Sequence, residues 1–285
     1  MFTFAQISDC HISLPDGKAD ATLRTAAHLR VAVSHLNQLP ESPEFVLFTG
    51  DLVDGGGLGE YAILADILAG LSMPFYLIPG NHDDREAMRR AFPLHGYLAG
   101  HDGFMQYTLE DWEPRLIALD TLIPGQPGGR LCQTRLDWLA DRLSEQPDRP
   151  TILFMHHPPF RTGMKMMDDM GLEDRDKFAD VVRQHPRIEA VLAGHLHRPI
   201  SRRFAGTIAL TAPGPAHQLA LDLTGEEKLS VIMEPPAGLL HLWLGGNGGL
   251  VSHLTYTGGC YDSRQVFPRA DRAGDGKPPA PSIPL

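Results

Sequence analysis

Residues 2–11 read Phe2-Thr3-Phe4-Ala5-Gln6-Ile7-Ser8-Asp9-Cys10-His11, a short apolar run that ends in a carboxylate and an imidazole. A run of this length, stopped by small polar residues, predicts a buried β-strand. The same form recurs along the chain. Phe45 to Phe48 leads into Gly50-Asp51, Phe75 to Ile78 into Gly80-Asn81-His82-Asp83, Thr151 to Met155 into His156-His157-Pro158, and Ala190 to Leu192 into Gly194-His195-Leu196-His197. A sixth run is Arg115 to Leu119, followed by Asp120. Between the runs, Ala19 to Leu39 carries Leu23, Ala26, Ala27, Val31 and Leu36 at near-helical spacing, and Tyr61 to Leu71 and Leu136 to Leu143 carry similar stripes. Strands alternating with amphipathic helices predict an α/β domain.

After about Pro199 the texture changes. Ile208 to Thr211, Gln218 to Leu223, Leu229 to Met233, Leu239 to Leu244 and Leu250 to Tyr256 are strand-like runs without intervening helices, which predicts a second, antiparallel sheet or a small cap. From Asp262 the chain turns to Arg, Asp, Gly and Pro and lacks the apolar surface to offset its ordering entropy, so 262–285 reads as a flexible tail.

In α/β folds, ligands gather beyond the carboxyl ends of the strands. Five strand ends that each carry a metal-type ligand therefore predict one crevice. Residues i and i+2 of an extended segment point the same way, so Asp9 and His11 share an ion while Cys10 faces the core, and His195 and His197 repeat the pattern. The glycines before Asp51, Asn81 and His195 allow unusual turn dihedrals and close approach. Carboxylate, imidazole and amide donors without thiolate select Mn, Fe, Co or Zn over Ca. Six or seven ligands exceed one four-coordinate site, and a bridging carboxylate such as Asp51 fits two ions roughly 3.5–4 Å apart.

Composition narrows the alternatives. The 285 residues suffice for one large core, and 42% hydrophobic with 21% charged excludes fibrous and disordered classes. A formal charge of −10 argues against nucleic-acid backbones and anionic membranes as partners. Three Cys without C-x-x-C spacing, and an N-terminus without a signal-peptide pattern or a membrane span, predict a cytoplasmic protein. The 14 His on this acidic chain are the raw material of a metal site.

The ordered series D-x-H, G-D, G-N-H-D, H and G-H-x-H over about residues 1–200 resembles the signature of the calcineurin-like binuclear metallophosphoesterases. With His-His-Pro-Pro at 156–159 and the strand-rich C-terminus, it looks most like the bacterial cyclic-nucleotide phosphodiesterases and glycerophosphodiesterases. The resemblance implies two mixed β-sheets packed as a sandwich flanked by helices over 1–234, with 235–261 as a small C-terminal cap used for homo-oligomer formation. It implies one divalent ion on Asp9, His11 and His197, a second on Asn81, His156 and His195, and Asp51 bridging them. His82 would be catalytic rather than a ligand, and Asn81, His82 and His217 would meet the substrate. The activity implied is hydrolysis of a small anionic phosphodiester by attack of a metal-activated hydroxide on phosphorus. A phosphomonoesterase, a nuclease or a non-catalytic scaffold on the same fold are the alternatives.

The remaining residues carry blander expectations. His157 reads as a core or supporting histidine, Cys10 as a buried structural thiol, and His28 and His35 as a solvated helix face. Asp83 and Asp120 read either as partners orienting imidazoles or as local turn residues. The arginine pairs at 89–90 and 202–203 read as surface charge. The stretch Met164, Met166, Met167, Met170 reads either as a loop packed on the core or as a lid over the site.

Overall fold

A computed structural model describes residues 1–15, 17–225, 230–246 and 248–257. Its first sheet runs in the order β15 (Leu250–Tyr256), β14 (Ala237–Trp243), β1 (Phe2–Ile7), β2 (Val46–Thr49), β3 (Phe75–Ile78). β1, β2 and β3 are parallel, and β14 joins β1 antiparallel with Phe2 opposite Trp243. The second sheet is β10 (Ile200–Phe204), β11 (Thr207–Thr211), β9 (Ile188–Ala193), β7 (Thr151–Phe154), β5 (Arg115–Ala118), β4 (Tyr107–Leu109). Its four central strands are parallel and both edge strands antiparallel. Two short ribbons complete the strands: β6 (Gly129–Arg130) with β8 (Leu172–Glu173), and β12 (Gln218–Leu219) with β13 (Val231–Ile232).

The period-two geometry of a strand explains the layers. Phe4, Leu47, Ile152, Phe154 and Leu192 point into the core between the two sheets. Their strand neighbours Ala5, Ile7, Val46 and Phe48 face a second core beneath the helices α2 (Thr25–Asn37), α3 (Leu58–Leu68) and α4 (Arg85–Ala91). On the opposite side Leu153, Met155, Val191 and Ala193 pack under α5 (Gln133–Glu145) and α7 (Arg175–Arg183). Strands apolar on both faces are what a sheet covered on both sides requires. The expected sandwich is therefore present.

The tertiary structure departs from the sequence reading in three places. The helix expected over 19–39 is two helices, α1 (Lys18–Leu23) and α2, separated by Arg24 in the left-handed region (φ 52°). The Asp20 carboxylate accepts the Ala26 N–H at 3.2 Å and so caps α2, ending α1 without a glycine or proline. The buried face of α2 is then Leu29, Ala32, Val33 and Leu36, and Val31 is exposed. The strands at 237–256, read as a cap, extend the first sheet instead; Trp243 and His241 are fully buried there, so this segment completes the core. With β15 on that edge, His35 Nε2 meets Thr255 Oγ1 at 2.8 Å, and the histidine face of α2 is partly covered rather than solvated. The runs at 218–223 and 229–233 form only the two-residue strands β12 and β13; Leu229 and the tail 262–285 lie outside the described residues.

Candidate metal centre

The five motif-bearing turns leave the carboxyl ends of β1, β2, β3, β7 and β9, strands from both sheets, and meet at one end of the sandwich. Hydrogen bonds stitch them together. The Asp9 and His11 N–H groups donate to the carbonyls of Gly50 and Asp51, and the Gly194 N–H donates to the carbonyl of His156, at 2.9–3.0 Å. Gln6, fully buried on β1, reaches across to the carbonyl of Ala193 on β9 at 2.9 Å and so ties the two sheets beneath the site.

Five of the nine described non-glycine residues with positive φ are Asp9, His11, Asp51, His195 and His197. Left-handed backbone costs an L-residue about 1–2 kcal/mol, so this concentration marks where the fold accepts strain for function. It also corrects the extended-segment argument. Asp9 and His11 share one side because both are left-handed, while Cys10 between them packs into the helix-side core, where burial pushes its thiol far above the ordinary value. Of the glycines, Gly50 (φ 90°) is there for its dihedral. Gly80 is there for space, since a Cβ on it would lie 2.2 Å from Asp51 Oδ1.

The side chains converge in overlapping groups. Asp9, His11 and His197 form one, and Asp9, Asp51 and His156 another. His11 Nε2 lies 3.2 Å from His197 Nε2 and 3.7 Å from Asp51 Oδ2. On the other side of Asp51, His156 Nε2 is 3.3 Å from the same Oδ2 and 3.2 Å from Asn81 Oδ1. Asp51 thus stands between two sets of donors. His195 joins the second set through its ring, 5.2 Å from that of His156.

Whether this arrangement suits cations follows from its hydrogen bonds. His11 Nδ1 faces the Asp54 carboxylate at 3.2 Å, and His156 Nδ1 and His197 Nδ1 face the carbonyls of Thr49 and His217 at 2.8 and 3.4 Å. Each carries its proton on Nδ1, so the Nε2 lone pairs of His11 and His197 point at one another. The ring of His195 bonds to the Met170 carbonyl, and its Nε2 is buried without a partner. Two buried carboxylates, facing lone pairs and an orphaned nitrogen are repulsive alone and complementary to positive charge. Without an ion the carboxylates overcome burial and draw a second proton onto two of these rings, raising His156 to about 9 beside Asp51 and raising His11 beside Asp54 and Asp51, protons that a bound cation would displace. Burial raises the Asp9 carboxyl to about 6, and burial opposes ionisation of Asp51 too, yet the adjacent His156 holds Asp51 well below the carboxylate range. Burial, reinforced by neighbouring histidines, keeps His195 and His197 well below their ordinary value and hence neutral, the form that binds a metal. The residues fit two divalent ions.

His82 lies edge-on to His11, ring centroids 4.6 Å apart, and groups with His11 and Asp54, but its contacts differ from those of the other rings. Its backbone N–H donates to Asp51 Oδ1 at 2.9 Å, and its ring Nδ1 donates to the Asp54 carbonyl at 2.7 Å, with the side chain 38% exposed in the cavity mouth. His217 is buried over His197, ring centroids 4.5 Å apart, with Nδ1 unpartnered; burial lowers it to about 4. His157 is not available to a metal: Thr121 Oγ1 sits 2.8 Å from Nδ1, the Pro127 carbonyl accepts from Nε2 at 3.1 Å, and burial lowers it to about 3.

Of the two alternatives for Asp83 and Asp120, the structure takes the turn hydrogen bond, to the N–H groups of Gly80 and Leu122 respectively. Asp83 orients no imidazole. It accepts the Gly80 and Leu52 N–H groups and the Tyr61 hydroxyl, locking the second and third turns together. Asp120 takes a two-pronged contact from Arg85, at 2.6 and 2.8 Å, and the Met105 N–H at 2.8 Å. The orienting carboxylate is Asp54, which the sequence reading passed over; its signal is the Asp three residues after Asp51 in Gly50-Asp51-Leu52-Val53-Asp54. A cavity of about 280 Å³ opens over the donors, with Met167 and Met170 in its wall.

The calcineurin-like phosphoesterase profile matches residues 2–199. The chain is 36% identical over 254 residues to a probable glycerophosphodiester phosphodiesterase, GpdQ, of Arcobacter nitrofigilis, covering 89% of this chain and 92% of that one. It is 39% identical over 237 residues to a probable cyclic nucleotide phosphodiesterase of Rhodopseudomonas palustris, covering 82% and 85%. A dimetal phosphatase from Danio rerio shares the fold, with a TM-score of 0.62 at 15% identity over 90% of this chain and 99% of that one. No helix among the described residues is long and apolar enough to cross a membrane. Motifs, sandwich and convergent turns agree with this profile: the chain belongs to the calcineurin-like phosphoesterase family.

Proposed function

We propose that the protein is a binuclear-metal-dependent phosphodiesterase acting on small anionic diesters, cyclic nucleotides or glycerophosphodiesters. The observation that carries this reading is Asp51, placed between His11 and His156 with donors on both sides. One ion would be held by Asp9, His11 and His197, the other by Asn81, His156 and His195, with Asp51 shared; the donor chemistry suits Mn, Fe, Zn or Co. When bound, such a pair supplies positive charge for phosphate oxygens and acidifies water toward neutral pH.

The chain's own residues do the rest. Asp54 and the carbonyls of Thr49 and His217 fix the tautomers of the three imidazoles they face, so that each offers Nε2 to the centre. His82, held through Nδ1, leaves Nε2 to meet a phosphate oxygen or the departing alkoxide, a contribution worth roughly 10²–10⁴ in rate. Asn81 and His217 border the same cavity, where they would contact the diester. Self-association is supported by β15, the outer strand of its sheet among the described residues, with Leu254 40% exposed.

The test is hydrolysis of bis(p-nitrophenyl) phosphate by protein loaded with Mn or Co, compared with p-nitrophenyl phosphate and single-stranded DNA. Turnover of the diester above both others is expected. No diester hydrolysis by protein that has taken up metal would refute the reading.

A further inference from the structure

The cavity has two unlike halves. Its floor is the donor cluster with Asp54 and His82. Its wall is Leu23 from the end of α1, Met167 from α6 (Lys165–Asp169), Met170 just beyond it, and Leu219 and Val231 from the ribbon β12–β13. Met167 and Leu219 are 4% exposed and pack with Met164 and Leu196 in a small core of their own. Leu196 lies between His195 and His197, so the wall is built directly onto a donor turn and has a fixed position relative to it. Met170 holds His195 by its carbonyl while its side chain faces the cavity.

Among the described residues, no lysine, no arginine and no aromatic ring other than histidine lines this space. Among these described lining residues a second anionic group on a substrate would meet no cation. An ammonium group would find no aromatic cage, and the two carboxylates present are engaged, Asp51 with His156 and the His82 N–H, Asp54 with His11. A hydroxylated substituent would leave its oxygens facing thioethers and methyl groups. What this wall rewards is an uncharged group with an apolar face, to which unbranched Met side chains adapt.

We propose that the Leu23, Met167, Met170, Leu219 and Val231 wall selects phosphodiesters whose substituent is uncharged and apolar, an alkyl, aryl or base-bearing group, over those bearing an ammonium, a second anion or a polyol. The selection rests on the phosphodiesterase reading and narrows it, favouring base-bearing diesters over glycerophosphodiesters of the two classes named there.

Three diesters with one leaving group test it: hexyl, glyceryl and choline p-nitrophenyl phosphate, on manganese-loaded protein. The expected order in kcat/KM is hexyl first, by about tenfold or more over glyceryl, with choline last. The glyceryl compound separates lost apolar contact from repulsion between choline and the metals. Met170→Gln with Val231→Thr, near-isosteric and at partly exposed positions, should reduce the hexyl-to-glyceryl ratio about threefold or more. A ratio near one in the parent protein, or a ratio untouched by the double substitution, overturns the proposal. Calorimetry with hexyl phosphate and glycerol phosphate reads the wall without catalysis. Hexyl phosphate binding more tightly with no diester hydrolysed would sink the phosphodiesterase reading and leave the wall's selectivity standing. Diester turnover with equal binding of the two would do the reverse.

Discussion

Asp54 holds two histidines by two different groups: its carboxylate faces His11 Nδ1 at 3.2 Å, and its backbone carbonyl accepts from His82 Nδ1 at 2.7 Å. One residue thereby sets the orientation of a proposed metal donor and of the proposed catalytic imidazole. Only the first of these contacts depends on the side chain.

Replacing Asp54 by Ala should therefore loosen His11 and spare the hold on His82. Partners of metal-bound imidazoles typically change affinity by 10–100-fold, and a loss in that range is expected for the ion on the His11 side. Competition with a chromophoric chelator measures it. Unchanged affinity for both ions would show that His11 is positioned by packing alone.

Asp51→Ala and His82→Ala should fail differently. The first removes the carboxylate between the two donor sets and should strip both ions. The second leaves every donor in place, so two metals per chain should remain while turnover falls roughly 10²–10⁴-fold. Elemental analysis with diester kinetics separates the cases, and equal metal loss in both variants would refute the division of roles.

Chelation should cost stability as well as activity. The facing nitrogens of His11 and His197 and the buried Asp9 and Asp51 carboxylates repel within each class when no cation sits between them. A ligand bound only by the folded state adds RT ln(1 + [L]/Kd), about 2.7 kcal/mol at a hundredfold excess over Kd. Thermal melts with chelator, and after readdition of manganese, should differ by several degrees. Superimposable melts would mean that the apo cluster is not strained.

His241 should make the fold acid-sensitive independently of the metal centre. It lies inside the first sheet, stacked on Phe4, donating through Nε2 to Gln6 Oε1 at 3.1 Å and accepting at Nδ1 from Ser252 at 2.7 Å. Burial, aided by His253, lowers it to about 3. The unfolded ring titrates near 6.5. Between those values the unfolded chain takes a proton that the folded chain refuses, so the stability present above about pH 6.5 is lost as pH falls toward 3. One such group contributes up to about 1.4 kcal/mol per pH unit. Urea midpoints from pH 7 to 4.5 should therefore fall less steeply in His241→Gln than in the parent, and identical slopes would remove His241 from the account.

Sequence alone determined a great deal here because the fold and the site share one grammar. The central strands are short apolar runs, and each candidate donor turn follows such a run directly, so finding those strands also marked Asp9, Asp51, Asn81, His156 and His195. That they would meet follows from the rule that ligands collect beyond strand ends, and the glycines at 50 and 80 marked turns with no room for a side chain.

What only the tertiary structure decided depends on contacts between distant segments. Arg24 breaks a helix because Asp20 caps the next one, and no residue type announces that exchange. Asp54, rather than Asp83 or Asp120, orients His11 because the turn after β2 curls over the centre, a matter of direction that spacing does not encode. The C-terminal strands could have formed a cap; they joined β1 because its free edge and the pocket for Trp243 exist only once the sheet is assembled. The methionines at 164–170 proved to be both packing and wall, since Met164 and Met167 fill a core while Met170 and one side of Met167 meet the cavity. Local chemistry is written residue by residue, whereas the face a side chain presents is set by whatever the rest of the chain places against it.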